Sequence, residues 1–411
     1  MANTLKFGGG TWATKKGSTL AYNDEDGNFK PLPFTYTGAG KGTRVNKQGL
    51  IEVVENDRPR IDYTDSEDGV FLLEKAATNL VTYSEDFSQW INYSQGTGSL
   101  ATLTSNYSIS PDGTKNASRI QCVLNGGNTS SDRSYIKLSG FSGTPFTCAK
   151  SLYVKNNLNV EQTFFIGVNA ASDRVTLPVS NKWQRLKVEG GVLNAEFRIG
   201  ITGNSLHSDS IDIDIFAAQL ESGNIASSYI PTQGTIQTRV QETASGSGNS
   251  EVFSDSQGTL FANIAANAND LTSKVISIND NSGSNVIRMG YAASSNEVNF
   301  IVRATTNRYS YNQVLGDITT LNKLSISYSS SGAKVFINGF LSDSGALSSL
   351  PTGLSQLDFR YGNGTLPFYG KTKEISYYDE VLTDLELETL TSYRTWEEMV
   401  KELNLNIIHN E

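Results

Sequence analysis

A chain of 411 residues with 37% hydrophobic and only 18% charged residues is long for one core and poor in the charged faces that solvate long helices. Its 18 Tyr, 18 Phe and 37 Gly favour short alternating strands joined by turns, hence an all-β chain of two or three domains. A net charge of −9 excludes nucleic acid and anionic membrane as natural partners, since both require clustered Lys and Arg.

Residues 1–85 are turn-rich, with short strands expected at 50–54 and 60–63 on either side of a turn. So little sustained periodicity predicts a segment that attaches to, or wraps onto, a neighbouring domain or subunit. The opening "MANTLKFGGGTWATKK" lacks the apolar core of a secretion signal, so folding in a cytoplasm is expected. The longest apolar run, near "TFFIGV", is too short to cross a bilayer.

From 86 to 240 come "SRIQCVL", "SYIKLSG", "FTCAKSLYVKN", "QTFFIGVN", "KWQRLKVEG", "AEFRIGIT" and "SIDIDIFAAQL", separated by turn residues. That spacing predicts an antiparallel two-sheet sandwich. Cys122 and Cys148, the only cysteines, fall within these runs and read as buried free thiols. Trp90 and Trp183 read as core residues, and Asp212 and Asp214 as solvent-facing residues of an alternating strand. Residues 241–258, "QETASGSGNSEVFSDSQG", break the composition and predict a linker.

A second sandwich is expected over 259–393. Its plainest hairpin is "KLSISYSSSGAKVFINGF", where Leu324, Ile326 and Tyr328 answer Ala333, Val335 and Ile337. Helices are expected only at the end: Thr383 with Glu386 and Thr395 with Glu398 open two capping boxes. Within the last segment, 394–411, Trp396, Met399, Val400 and Leu403 share one helix face and need a surface to dock on.

Two phrases now carry a resemblance. One holds Arg44, Asn46, Gly49, Leu50, Ile51, Pro59, Arg60, Asp62 and Tyr63, then Leu72, Leu73, Glu74, Thr78, Asn79, Leu80, Ser84, Phe87 and Trp90. The other is "AAQLESGNIASSYIPT" with Arg239. Together they resemble the opening and the first module of fibre and appendage proteins of tailed bacteriophages, in which a jelly roll similar to carbohydrate-binding modules is followed by another domain. Residues 323–340 and 357–390 resemble the central strand pair and the closing phrase of concanavalin A-like, laminin-G-type lectins, although Lys323 stands where many relatives carry Trp. The resemblance implies a virion protein assembled in the host cytoplasm, a homotrimer with other virion proteins as partners, and a bacterial surface glycan as ligand.

For chemistry the chain offers little. His207 and His409 are its only histidines and do not stand among strands, which argues against a Ser-His-Asp triad or a zinc site. Asp212 and Asp214 are the carboxylate pair that a glycan hydrolase reading would use. No cofactor is expected; calcium at the polar turn 277–285, around Asp280 and Asn281, is the minor alternative. For a glycan, stacking aromatics with polar neighbours point to Arg308, Tyr309, Tyr311 and Asn312, the tyrosines sharing one strand face. The expected function is non-enzymatic recognition of host glycan by a virion appendage. The competing reading is a structural decoration or connector that uses lectin folds as spacers.

Overall fold

The computed structural model describes residues 4–23, 29–38, 40–141, 146–167, 171–193, 195–204 and 206–403. Within them the chain is all-β, built of antiparallel sheets. It forms two compact units: residues 40–55 with 76–240, and residues 1–39 with 56–75 and 241–411. The chain thus passes from one unit to the other after residues 39, 55, 75 and 240. Residues 1–85, read above as one wrapping segment, are divided between the two. The strands expected at 50–54 and 60–63 also part company: Ile51–Val53 pairs with Thr43–Val45, and Arg60–Asp62 pairs with Val70–Leu73.

The unit containing 76–240 is a jelly-roll sandwich. One sheet runs Ile91–Gln95, Arg133–Ser139, Glu196–Thr202, Gln162–Gly167, Arg174–Leu177. The other runs Thr102–Ser108, Ala117–Val123, Ser210–Ser222, Phe146–Asn156, Gln184–Leu193. Period-two alternation sends Ile211, Ile213 and Ile215 into the core beside Ile120, Leu152, Phe164, Phe197 and Trp90. Cys122 and Cys148 are free and buried there, and burial pushes the Cys122 thiol up to about 12.

Midway, the strand Ser210–Ser222 bulges. Its register against Phe146–Asn156 shifts between Ser151 and Tyr153, and Ala217 takes a left-handed φ of +57°. Phe216 and Ala217 thereby join an outer cluster with Ile51, Tyr229, Tyr153 and Trp183, while Ala218 and Leu220 stay in the core. Trp183 is therefore a half-buried outer residue and not a core one; its indole N–H donates to the Ile109 carbonyl at 3.0 Å.

The second phrase, with Asn79 and Ser84 of the first, stitches this unit shut. Asn79 accepts from the Val81 and Leu220 amides and donates to the Ala218 and Ile230 carbonyls. Tyr229 meets Ser84 at 2.6 Å and donates to Glu85 at 2.8 Å. Gln219 accepts from the Ile230 amide at 2.6 Å, and Glu221 accepts from the Ser227 amide at 2.8 Å. Three of these bonds satisfy backbone groups of the loop that follows the strand, at Ser227 and Ile230.

In the second unit a five-stranded sheet runs Thr306–Val314, Glu297–Ala304, Asn285–Tyr291, Lys274–Asn279, Gln356–Asp358. It packs on a larger sheet whose middle is Leu5–Gly8, Gly370–Tyr378, Gln257–Ala266, Asn322–Ser329, Gly332–Ile337 and whose far edge is Phe340–Gly345. The hairpin forms as expected, Ser329 facing Gly332. Strands from 1–39 extend this sheet, so the second sandwich is completed by the start of the chain.

The stretch 241–258 is not a free tether. Thr243–Ser245 pairs with Lys30–Thr37, and Val252 and Phe253 are core residues. Glu242 accepts from Arg60 Nε at 2.6 Å and from the Tyr36 hydroxyl at 2.7 Å, and Arg60 also holds Glu74 at 2.7 Å. Arg60 is 1% exposed, so this buried cluster depends on every partner being present.

The first capping box is complete at Thr383 and Glu386, opening Asp384–Thr391. Thr395 caps Trp396–Glu402, but this helix docks differently from expectation. Trp396 is 59% exposed, and the contacts run through Lys323 with Glu398 at 3.0 Å and Lys373 with Glu402. Lys323 also sits 4.8 Å from the Tyr393 ring centroid, which adds to its role as an anchor for this helix.

Candidate functional site

The strand Thr306–Val314 lies at the edge of the five-stranded sheet, and its four expected site residues part across two faces. Tyr309 stands opposite Val302 and Tyr311 opposite Phe300, both core residues. Tyr309 is 8% exposed and donates to Asp343 at 2.8 Å; Tyr311 packs against the core and donates to Gln313 at 2.9 Å. The Tyr309 ring is buried, whereas Tyr311 is half-buried and lines a groove with Val314 and Phe340. Arg308 is the extra residue of a bulge, its Nε bonded to the Ala304 carbonyl at 3.1 Å. Asn312 points the other way, opposite Asn299, to which it is bonded at 2.5 Å.

That outer face holds what sequence reasoning missed. Alternation puts Ile287, Met289, Phe300 and Val302 inward, so Arg288, Asn299 and Arg303 face out. Arg288 stands opposite Ile301, and Arg303 lies two residues further along the same strand, a diagonal neighbour. Arg288 donates to Asn299 Oδ1 at 3.0 Å, and its guanidinium lies 5.1 Å from the Tyr361 ring centroid. Arg303 reaches only Asn307, at 3.4 Å. Among the described residues neither guanidinium has a carboxylate partner, and the Nε of each, like that of Arg360, is buried without a hydrogen bond. Burial holds the Arg288 pKa below the ordinary arginine value against Tyr361, and the like charge of Arg303 lowers it further. The alternating runs "NVIRMGY" and "EVNFIVRA" contain the signal: an arginine at an outward position of an otherwise buried strand.

The jelly roll presents the opposite arrangement. On its outer face Asp212 accepts from both ends of Arg119 and from Gln121 and Asn157, while Asp214 pairs with Lys155 at 2.7 Å. Asp214 is fully buried, and both carboxylates are closed by partners rather than facing solvent. Burial raises the Asp212 pKa, but hydrogen bonds from Arg119, Asn157 and Gln121 and the Arg119 charge bring it below the usual carboxylate value. A glycosidic acid requires the reverse shift. A polar cleft of about 630 Å³ in the same unit is lined by Lys41, Glu85, Asn106, Asn116, Gln233 and Gln237.

At 277–285 the Asp280 carboxylate is occupied by Ser282, through its amide and hydroxyl, and by Asn285. Among the described residues no group of three or more His, Cys, Asp or Glu could hold a metal ion. His207 accepts from the Thr202 amide at 2.9 Å and stacks on Phe165; His409 lies outside the described residues.

No family model matches the chain, and no curated protein matches it. Among solved structures it is similar to the Ruminococcus gnavus IT-sialidase CBM40 bound to α2,3-sialyllactose, at 19% identity over 36% of this chain and 93% of that one, TM-score 0.29. It is similar also to the receptor binding domain of botulinum neurotoxin mosaic serotype C/D, at 14% identity over 36% and 39% of the chains, TM-score 0.27. Domain 4 of the arabinanase AbnA from Geobacillus stearothermophilus, in complex with arabinotriose, matches at 13% identity over 77% and 100%, TM-score 0.22. Scores this low carry no conclusion about ligand.

Proposed function

We propose that this chain is a non-enzymatic glycan-recognition protein, and that the outer face of its five-stranded sheet is where the glycan lies. One observation carries the reading: Arg288, Arg303, Asn299 and Asn312 present amide and guanidinium groups on a sheet face beside the Tyr361 ring. Such a face supplies hydrogen bonds for hydroxyls and an aromatic edge for a pyranose ring. The test is a glycan array probed with the full chain and with Asn299→Ala/Asn312→Ala. The reading expects defined glycan hits that the double variant loses at unchanged thermal stability; an array without hits would reject it.

The motif phrases support placing the protein in a bacteriophage appendage, assembled as a homotrimer on other virion proteins. A second reading, in which the sandwiches act as spacers, draws on a different observation. Val314, Phe340 and Leu341 are exposed around a groove of about 550 Å³. Such a patch suits a subunit contact. Light scattering decides here: if Phe340→Ser converts an oligomer to monomers while array hits persist, the patch is a contact and the glycan face is separate. A monomer at high concentration would reject the trimer.

A further inference from the structure

We infer that the ligand of the outer sheet face is an acidic glycan, one whose sugar carries a carboxylate or a sulfate, held by Arg288 and Arg303. This rests on the glycan reading above and narrows it to a ligand class.

The argument begins with the protein's own charge. A chain of net charge −9 repels an anion at long range, so an acidic ligand needs a local cationic site. Several other arginines are closed by carboxylates, whereas Arg133, Arg185 and Arg308 bond to hydroxyl or carbonyl oxygens. Arg44 pairs with Glu52, Arg60 with Glu74 and Glu242, Arg119 with Asp212, and Arg198 with Glu196. Arg288 and Arg303 instead spend their bonds on amide oxygens. They are half-buried, and each has an Nε stripped of water with nothing in its place. Two like charges in this state, diagonal to one another on rigid strands, are costly unless an anion completes them. The planar guanidinium fork matches a carboxylate or sulfate, and the pair is already positioned by the ladder Asn285–Tyr291 against Glu297–Ala304.

The nearby carboxylates do not serve. Glu297 is taken by Asn312. Asp358 accepts from the Gly246 amide at 2.7 Å, from Asn279 at 3.1 Å and from Gln356 at 2.8 Å, and approaches only Arg360, at 4.0 Å. Asn299 and Asn312 flank the arginine pair and would read the neighbouring hydroxyls.

The experiment uses the full chain and paired probes that differ in charge alone. These are 3′-sialyllactose with lactose, an oligogalacturonate with its methyl ester, and a heparin tetrasaccharide with its desulfated form. Calorimetry should show an acidic member bound, its neutral counterpart not, and affinity falling as NaCl rises. Arg303→Gln should weaken that binding about tenfold, the loss of one charge-assisted bond, and Arg288→Ala should do the same. Thermal unfolding of both variants keeps the result interpretable; should Arg288→Ala misfold, Arg303→Gln carries the test. The carboxylated and sulfated arms tell the two acid groups apart. Equal binding of acidic and neutral members, or binding that survives both substitutions, overturns the acidic ligand and leaves the glycan reading intact. No binding by any probe, together with an empty array, overturns both.

Discussion

Asp212 shows how much one side chain depends on its neighbours. Its depressed pKa means that its contribution to stability is present above the ordinary carboxylate value of 3.8 and is lost as pH falls through and below it. Asp212→Asn should therefore lower jelly-roll stability at neutral pH and flatten the acid limb of a denaturation profile below about pH 4. Tyr309 makes a second case. With 8% exposure and its hydroxyl on Asp343, Tyr309→Ala should cost about 3 kcal/mol by denaturant unfolding, so its effect on binding would report folding. The sequence placed Tyr309 and Tyr311 together correctly but could not tell which face was inward. Period two is symmetric, and only the bulge at Arg308 and the opposing Phe300 and Val302 break the tie.

At the level of elements, the strands of the jelly roll were legible because each alternates strongly. Ile91–Gln95 and Thr102–Ser108, polar and largely exposed, gave no such signal and went unread. The stretch 241–258 was misread for a related reason: Gly246 and Gly248 mark turns, not slack, and Thr243–Ser245 between them and Glu242 is a paired strand. Limited proteolysis of the native protein should leave 241–258 intact, and Glu242→Ala should open it by leaving Arg60 buried and half-paired. Asn79→Ala should be more damaging than its single residue suggests. Four backbone groups lose a partner, and urea unfolding should show a loss of about 2–4 kcal/mol. The C-terminal helix was found by its cap but not by its docking. An apolar stripe is a sound guess for a short helix, yet here the ion pairs of Lys323 and Lys373 took that part.

For the whole molecule, fold class and the unit limit at 240 could be read from composition and spacing, whereas the division of residues 1–75 between the units could not. Sandwich completion depends on long-range pairings, such as Leu5–Gly8 on Gly370–Tyr378, that leave no trace in local pattern. A fragment of 241–411 should accordingly be insoluble or molten, because it lacks the strands that the first 75 residues add to its sheet. Supplying residues 1–75 in trans, or restoring the full chain, should recover cooperative unfolding by circular dichroism. The arginine pair was invisible for the same reason: sequence shows that Arg288 and Arg303 alternate with apolar residues, not that Glu297 and Asp358 are already taken.

Because Leu5 faces Tyr377 and Gly8 faces Glu374, a pull applied at Leu5 and at Tyr378 grips one end of an antiparallel pair. Tension there breaks the ladder one hydrogen bond at a time, as a zipper opens, instead of loading all of them together. Residues 40–55 and 76–240 belong to the other unit, so a pull between these two points first loads the pair Leu5–Gly8 and Gly370–Tyr378. In a pulling experiment between those two points the first rupture should come at low force from the unit that holds both grips. The jelly roll should yield only later, as a separate step, after that unit has given way.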